Sequence, residues 1–372
     1  MKNTFGNAVT VTLFGESHGK AVGAVIDGLS PGIPIDEEYI REKMNLRKAY
    51  GKISTARQEE DEVKFISGVF QGHSTGTPLT LLIENQNTKS EDYGSRMHLP
   101  RPSHADYTGH CKYGGYEDYR GGGHFSGRIT AALVAAGALT AKALEDKGIY
   151  IGTHILNCHG VCDRHFDGKA AIDDIKKLAG VRFPVLDEKS AEVMRLEIER
   201  AAADGDSVGG ILETAVIGLP EGIGEPWFDT VEGMLAHAVF SIPAVKGIEF
   251  GMGFDFVKMR GSEANDAFRY KNGKVVTETN NNGGINGGIT NGMRCHAGCQ
   301  PAVRQGQLCD RRSQKTGNRG SFHEGKHRTG IAGKTRSGDC SQGKSSCGCS
   351  DSIDDLRPSC STLRNGFFEV GI

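Results

Sequence analysis

The chain lacks the features by which membrane, secreted and nucleic-acid-binding proteins are first identified. No stretch of its 372 residues approaches the roughly 20 consecutive apolar residues needed to cross a bilayer. Its net charge is −2, so no overall field attracts a polyanion or a membrane surface. The N-terminus shows no charged segment followed by an apolar one, the pattern of a secretory signal. We therefore expect a cytoplasmic protein with no nucleic-acid or membrane partner.

Residues 294–372 have little of what builds a hydrophobic core. This segment contains only eight Val, Ile, Leu or Met residues, and 13 Lys or Arg against 7 Asp or Glu. So few aliphatic side chains cannot offset the entropy lost when the chain becomes ordered. We expect one folded domain over residues 1–293 and a low-complexity, disordered tail over residues 294–372. An abrupt loss of pattern at one residue is what a shifted reading frame produces.

The folded part combines helix and strand patterns without regular alternation, which favours the α+β class. Strands are predicted at 8–14, 21–26, 63–67, 78–84, 150–156, 211–217, 248–250 and 256–259. Helices are predicted at 36–48, 129–147, 170–178, 188–203 and 230–239. A hairpin is predicted at 269–277, with Asn272 and Gly273 at its turn. Residues 85–125 show little periodicity, and an irregular segment of that length inside a domain is usually functional.

Three consecutive glycines, Gly121–Gly123, lie directly before the predicted central helix and between Arg120 and Arg128. Glycine lets backbone N–H groups approach a ligand closely, and a helix N-terminus carries a partial positive charge. A turn that merely packs tightly is the simpler interpretation. The two flanking arginines favour a site for a phosphate or a carboxylate.

Two other glycine-rich loops carry histidines, at His18 and His104. A single histidine is more often structural than catalytic, but imidazole is the usual proton donor near neutral pH. Arg47, Lys52 and Arg57 add a basic stretch, which is either a solvated helix end or a clamp for a phosphate. The tail cysteines Cys340, Cys347 and Cys349 raise the alternative of a zinc module, but their spacing is tighter than that of the usual zinc ligands, and we predict no metal site.

Taken together, the segments closely resemble those of chorismate synthases, in family order over residues 4–293. The matching segments are GESHG at 15–19, VIDGLSPGIP at 25–34, TARQEEDEVKFISGVFQGHSTGTPL at 55–79, RPSHADYTGHCKYG at 101–114, DYRGGGHFSGRIT at 118–130, DGDSVGG at 204–210, SIPAVKGIEFGMGF at 241–254 and NNNGGINGGITNG at 280–292. The resemblance implies a β-α-β sandwich, two sheets with helices between them, assembled as a homotetramer. It also implies a lyase of aromatic amino acid biosynthesis that uses reduced FMN to convert 5-enolpyruvylshikimate 3-phosphate to chorismate by a 1,4-anti elimination.

The resemblance also implies roles for individual residues. His18 would protonate the departing phosphate and His104 would protonate the reduced flavin near N1. The positions on flavin-contact segments are His124, Phe125, Ser126, Pro243, Ala244 and Gly287. The positions for the substrate phosphate or for NADP are Arg47, Lys52, Arg57 and Arg128.

The chain departs from the family pattern in ways that affect cofactor binding. Ser103 replaces a usual glycine, and Pro243 replaces a usual asparagine at a flavin contact, which removes a backbone donor and an amide. From Arg294 onward, the family's Lys-Pro-Thr loop for the flavin phosphate, its Arg-x-Asp-Pro motif and its C-terminal helix are not found in the sequence. An inactive remnant that binds flavin weakly is therefore the alternative to an active chorismate synthase.

Overall fold

A computed structural model describes residues 2–48, 60–86, 100–166 and 171–301 of the chain. The elements of the first part are, in chain order, β1 (Thr4–Phe5), β2 (Thr10–Gly15), β3 (Ala21–Asp27), α1 (Glu37–Arg47), β4 (Val63–Ser67), β5 (Val69–Phe70), β6 (His73–Ser74), β7 (Leu79–Glu84), α2 (Asp106–Tyr113) and α3 (Thr130–Glu145). Those of the second part are β8 (Tyr150–Cys158), β9 (Val161–Cys162), α4 (Ala171–Leu178), α5 (Glu188–Ala203), β10 (Gly210–Ile217), α6 (Val231–Phe240), β11 (Val245–Phe250), α7 (Gly261–Ala264), β12 (Phe268–Lys271), β13 (Lys274–Thr277), β14 (Ile285–Asn286), β15 (Ile289–Thr290) and β16 (Cys295–Pro301).

Two antiparallel sheets of five strands organise the fold. The first has the strand order β1-β2-β3-β7-β4, and the second has the order β11-β16-β10-β8-β9. The expected hairpin of β2 and β3 is present, with Thr10 opposite Asp27 and Gly15 opposite Val22. The mixed helices and sheets confirm the predicted α+β class and the chorismate-synthase-like sandwich.

Helix α3 is the central packing element between the sheets. It contacts β3 and β7 of the first sheet and β8 of the second. Alanine is its commonest residue, and small side chains let a helix and a sheet approach closely. Most of its alanines join the core of the first sheet, whereas Leu133 joins the core of the second. The segment Gly127–Glu145 is apolar and long enough to cross a membrane, but most of it is buried inside the fold.

The structure confirms the predicted cap of α1, adds a helix that was not predicted and replaces one predicted strand by a turn. Asp36 caps α1 by accepting a hydrogen bond from Tyr39 N at 2.9 Å. Helix α2 lies inside the stretch for which no periodicity was found; its eight residues are too few to show a clear pattern. The strand predicted at 256–259 is a 3-10 turn, Gly253–Lys258, because Gly251 and Gly253 both adopt positive φ angles and bend the chain after β11.

The boundary predicted at residue 293 is also wrong, because the sheet continues beyond it. Strand β16 lies between β10 and β11 and pairs with both. Cys295, Ala297 and Cys299 are buried on its core side, so small side chains suffice to fill this position. A strand bonded along both edges needs little intrinsic propensity, since its neighbours satisfy its backbone groups. Residues 302–372, including Cys340, Cys347 and Cys349, lie outside the described residues.

The predicted consequence is that a chain ending at residue 301 keeps the fold and a chain ending at residue 293 does not. Removing β16 exposes the unpaired edges of β10 and β11 together with the core beneath them. We expect a cooperative urea transition for the longer chain and a loss of cooperativity for the shorter one. Equal transitions for the two chains would show that β16 is dispensable.

A buried polar network lies on β10, around the carboxylate of Glu213. One oxygen of Glu213 accepts hydrogen bonds from His154 Nε2 at 2.8 Å and from Phe166 N at 3.0 Å. The other oxygen lies 3.1 Å from His165 Nδ1. His154 also lies 3.0 Å from the buried Asp163 through its Nδ1. Burial alone would raise the pKa of Glu213, but the hydrogen bonds from His154 and His165 hold that pKa well below its usual range.

This lowered pKa predicts a contribution to acid stability. A carboxyl whose folded-state pKa is depressed stabilises the protein above its unfolded pKa, about 4.3, and loses that contribution as the pH falls below it. In the Glu213→Gln variant we expect a lower free energy of unfolding at pH 7 and a shallower decline between about pH 5 and pH 3. Glu278→Gln is the control, because Glu278 pairs with Arg269 at the exposed hairpin. Parallel pH profiles for wild type and Glu213→Gln would contradict the prediction.

Candidate active site

The glycine turn Gly121–Gly123 brings the two predicted catalytic histidines together. All three glycines adopt positive φ angles, of 57°, 82° and 55°. A Cβ at Gly121 would overlap the imidazole of His18, and a Cβ at Gly122 would lie 3.0 Å from His104 Cε1. Both rings therefore pack directly against consecutive glycine α-carbons, where any larger residue would displace them.

Hydrogen bonds fasten the turn between β2 and β3 to the glycine turn. Ser17 N donates to the carbonyl oxygen of Gly123 at 3.1 Å, and His124 Nδ1 lies 2.7 Å from the carbonyl oxygen of Gly15. The Oγ of Ser17 is buried beside Gly121 and has no hydrogen-bond partner among the described residues. A buried hydroxyl without a partner is costly, which is typical of a site that receives a polar ligand.

His104 is held by a carboxylate and a guanidinium from its own loop. Its Nδ1 lies 2.6 Å from Asp106 Oδ1, and Arg101 forms a two-pronged ion pair with the same carboxylate. Burial alone would raise the pKa of Asp106, but the hydrogen bonds from His104 and Arg101 hold it well below its usual range. Asp106 is thus an ionised acceptor at the start of α2.

Arg120 is also paired with a carboxylate, that of Asp118. Its Nε and Nη2 both contact Asp118 at 2.8 Å, and its backbone N–H donates to the same side chain. The hydrogen bonds from Arg120 lower the pKa of Asp118, and the nearby His18 adds to that effect. The glycine turn therefore presents imidazoles, while its first flanking arginine is neutralised.

The two arginines predicted to bind a phosphate or NADP, Arg47 and Arg128, share the buried carboxylate of Asp61. Arg47 Nη1 lies 2.7 Å from one oxygen of Asp61, and Arg128 Nη1 contacts the other. Arg128 also donates to Asn85 Oδ1 at 2.8 Å and to the carbonyl oxygen of Glu84 at 3.2 Å. The triad links the end of α1 to the start of α3 and has a net charge of +1. Lys52 and Arg57 lie outside the described residues.

The other predicted flavin contacts fall into two groups. His124, Phe125 and Ser126 follow the glycine turn directly; Phe125 packs edge-on against Tyr113, and Ser126 is buried. Pro243 and Ala244 form the turn from α6 to β11, and Gly287 lies in the turn between β14 and β15. Ala244 has a φ of 73°, which is unusual for a residue with a Cβ.

Asp61, Asp106 and Asp118 are the site residues that sequence reasoning missed. Asp106 had a local signal, since it follows His104 by two residues in the same motif. Asp61 had none, because its partner Arg128 lies 67 positions away. Carboxylates that hold arginines and histidines are identified only when the fold brings them into contact.

Comparisons with known proteins agree with the geometry. The family model described as chorismate synthase matches residues 9–303. The chain belongs to the chorismate synthase family. A chorismate synthase from Thermococcus kodakarensis is 46% identical over 288 residues, covering 77% of this chain and 79% of its own length. One from Chitinophaga pinensis is 49% identical over 290 residues, covering 78% and 77%. A solved structure described as chorismate synthase aligns with a TM-score of 0.67 and 28% identity, covering 80% of this chain and 84% of that one.

The chorismate synthase homologues place the chain among lyases of aromatic amino acid biosynthesis. The family match ends two residues beyond β16, so the family part of the sequence and the described part of the fold end together.

The Asp61 triad generates a stability prediction. Asn tolerates a positive φ, and Asp61 has a φ of 50°, so Asp61→Asn removes the charge without straining the backbone. We expect a loss of about 3–5 kcal/mol in the free energy of unfolding, because two arginines would stay buried without their carboxylate.

Urea denaturation measures this loss. Glu84→Gln is the matched control, because Glu84 pairs with Lys64 at an exposed position and its loss should cost about 1 kcal/mol or less. Equal costs for the two variants would mean that the triad is not a stabilising element.

Proposed function

We propose that the chain catalyses the 1,4-anti elimination of phosphate from 5-enolpyruvylshikimate 3-phosphate to give chorismate. The C–O bond to phosphate and a C–H bond on another ring carbon break, a double bond forms, and the overall reaction has no net redox change. The observation that carries the proposal is the packing of His18 and His104 against adjacent glycines of one turn. Family membership gives the reaction class, and this pair supplies the proton donors it needs.

Each histidine has a separate task in this proposal. His18 donates a proton to the departing phosphate, which makes phosphate a better leaving group. His104 holds its transferable proton on Nε2, since its Nδ1 is bonded to Asp106. When bound, reduced FMN would supply a transient electron and take up the substrate proton. The His104 proton would be directed at the flavin near N1.

The described residues fit the ring of a flavin better than its phosphate. The glycine turn offers a backbone without Cβ atoms, two imidazoles and the buried hydroxyl of Ser17. The arginines of these loops, Arg101, Arg120 and Arg128, are each paired with a carboxylate. The Lys-Pro-Thr loop that would hold the flavin phosphate does not occur in the sequence.

A second candidate function follows from that missing loop. An inactive chorismate-synthase-like remnant that binds flavin weakly would keep the histidine pair but lack charge-assisted hydrogen bonds to the phosphate. Each such bond is worth about 1.5–3 kcal/mol, which is about tenfold or more in affinity. Titration with reduced FMN under anaerobic conditions separates the two functions. Binding too weak to saturate, with no chorismate formed, would favour the remnant.

The remaining assignments complete the proposal. Phe125, Ser126, Pro243, Ala244 and Gly287 are proposed to line the flavin site with His124. Arg47, Lys52, Arg57 and Arg128 are proposed for the substrate phosphate or for NADP. We propose a homotetramer of the cytoplasm, with no nucleic-acid or membrane partner.

Removing either histidine tests the proposal. In a preparation that forms chorismate, we expect His18→Ala and His104→Ala to lower turnover by about 10²–10⁴-fold, the usual effect of a positioned proton donor. His73→Ala is the control, because His73 is exposed and its Nδ1 lies 2.9 Å from the carbonyl oxygen of the nearby Gln71. Unchanged rates in both site variants would refute the assigned roles.

A further inference from the structure

The contacts of Asp106 determine which nitrogen of His104 carries the fixed proton. Oδ1 of Asp106 lies 2.6 Å from His104 Nδ1. An ionised carboxylate has no proton to donate, so at this distance Nδ1 must be the donor. The bond places a proton on Nδ1 whether the ring is neutral or charged.

Arg101 does not compete for either ring nitrogen in the plane of the imidazole. Its Nη2 lies 3.1 Å from both Nδ1 and Nε2 of His104. An atom at equal distance from both nitrogens at this range cannot lie along the lone-pair direction of either one. Nη2 of Arg101 therefore lies over the face of the imidazole. It does not lie along the lone-pair direction of Nε2 in the plane of the ring.

We propose that Asp106 is a positioning residue that fixes the neutral form of His104 with its proton on Nδ1, so that Nε2 is the nitrogen that exchanges a proton in the site. The mechanistic use of this tautomer rests on the proposed function. The tautomer itself rests only on the contacts of Arg101, His104 and Asp106.

Counting donors predicts what an amide would do at this position. Oδ2 of Asp106 accepts hydrogen bonds from the backbone N–H and the Nε of Arg101, at 2.8 and 2.9 Å. Oδ1 accepts from Arg101 Nη2 at 2.9 Å and from His104 Nδ1. In Asp106→Asn the single amide oxygen is best placed at Oδ2, because both donors there belong to Arg101 and cannot become acceptors, whereas the imidazole nitrogen at Oδ1 can. The NH₂ group then faces His104 Nδ1, which must become an acceptor and move its proton to Nε2.

The experiment is a two-bond ¹H–¹⁵N correlation spectrum of the full chain labelled at histidine, recorded without cofactor well above the ordinary histidine pKa of about 6.5. The chain has 13 histidines, so the His104 signals are assigned by their loss in His104→Gln. We expect the Nδ1–H form in wild type and in Asp106→Glu, and the Nε2–H form in Asp106→Asn. An amide at the equivalent position of a histidine–aspartate pair acts by such a change of tautomer in serine proteases.

Glu117→Gln is the matched control, because Glu117 Oε1 lies 3.0 Å from Nδ1 of His110 on the same helix, α2. This variant should change the His110 signals and leave those of His104 unaltered. A wild-type Nε2–H form, or the same tautomer in wild type and Asp106→Asn, would overturn the proposal. If Asp106→Asn does not fold, the spectra of wild type and Asp106→Glu still show whether His104 carries its proton on Nδ1.

Activity separates this inference from the proposed function. In a preparation that forms chorismate, Asp106→Asn should lower kcat by about 10²–10⁴-fold, and Asp106→Glu should recover part of it. A wild-type chain with the Nδ1–H form that makes no chorismate would contradict the proposed function and leave the tautomer assignment standing. Chorismate formation by a wild-type chain with the Nε2–H form would contradict the tautomer assignment and leave the proposed function standing.

Discussion

The close approach of the glycine backbone at Gly121–Gly123 to two imidazoles is the constraint on which the site depends. The positive φ angles of these residues turn the chain sharply before α3, and the absence of Cβ atoms leaves room for the rings. The carbonyl oxygen of Gly123 then accepts a hydrogen bond from Ser17, which joins the first sheet to the turn. The same three residues thus set the start of the central helix and the spacing of the histidines.

Around this turn, carboxylates hold the arginines before any ligand arrives. Asp61, Asp106 and Asp118 each bind an arginine. These ion pairs offset the free energy lost when the arginine charges are removed from water. The Asp61 triad still carries one net positive charge, since it contains two arginines. An anion near the triad would be attracted to it without having to disrupt an ion pair.

Local elements could be predicted from the sequence because their signals are local. Asp36 caps α1 as expected, and the apolar segment after the glycines forms the buried helix α3. The meeting of His18 and His104 followed from the family resemblance together with the glycine turn. By contrast, Asp61 and Arg128 are distant in sequence, and no local pattern of residue types predicts their pairing.

Strand β16 shows why composition misjudged the boundary at residue 293. A low aliphatic content excludes an independent core, but β16 adds to a core that β10 and β11 already provide. Burial raises the pKa of both Cys295 and Cys299 to about 12, so their thiols stay neutral and pack as small apolar groups.

The position of the change in sequence separates two parts of the function. His18, His104 and the glycine turn all precede α3, and the family match continues to residue 303, so the departure from the family pattern lies well after these residues. The Lys-Pro-Thr loop and the Arg-x-Asp-Pro motif that the resemblance implies are not found in the sequence. In the proposed function, proton transfer and the binding of the cofactor phosphate would therefore depend on different parts of the chain.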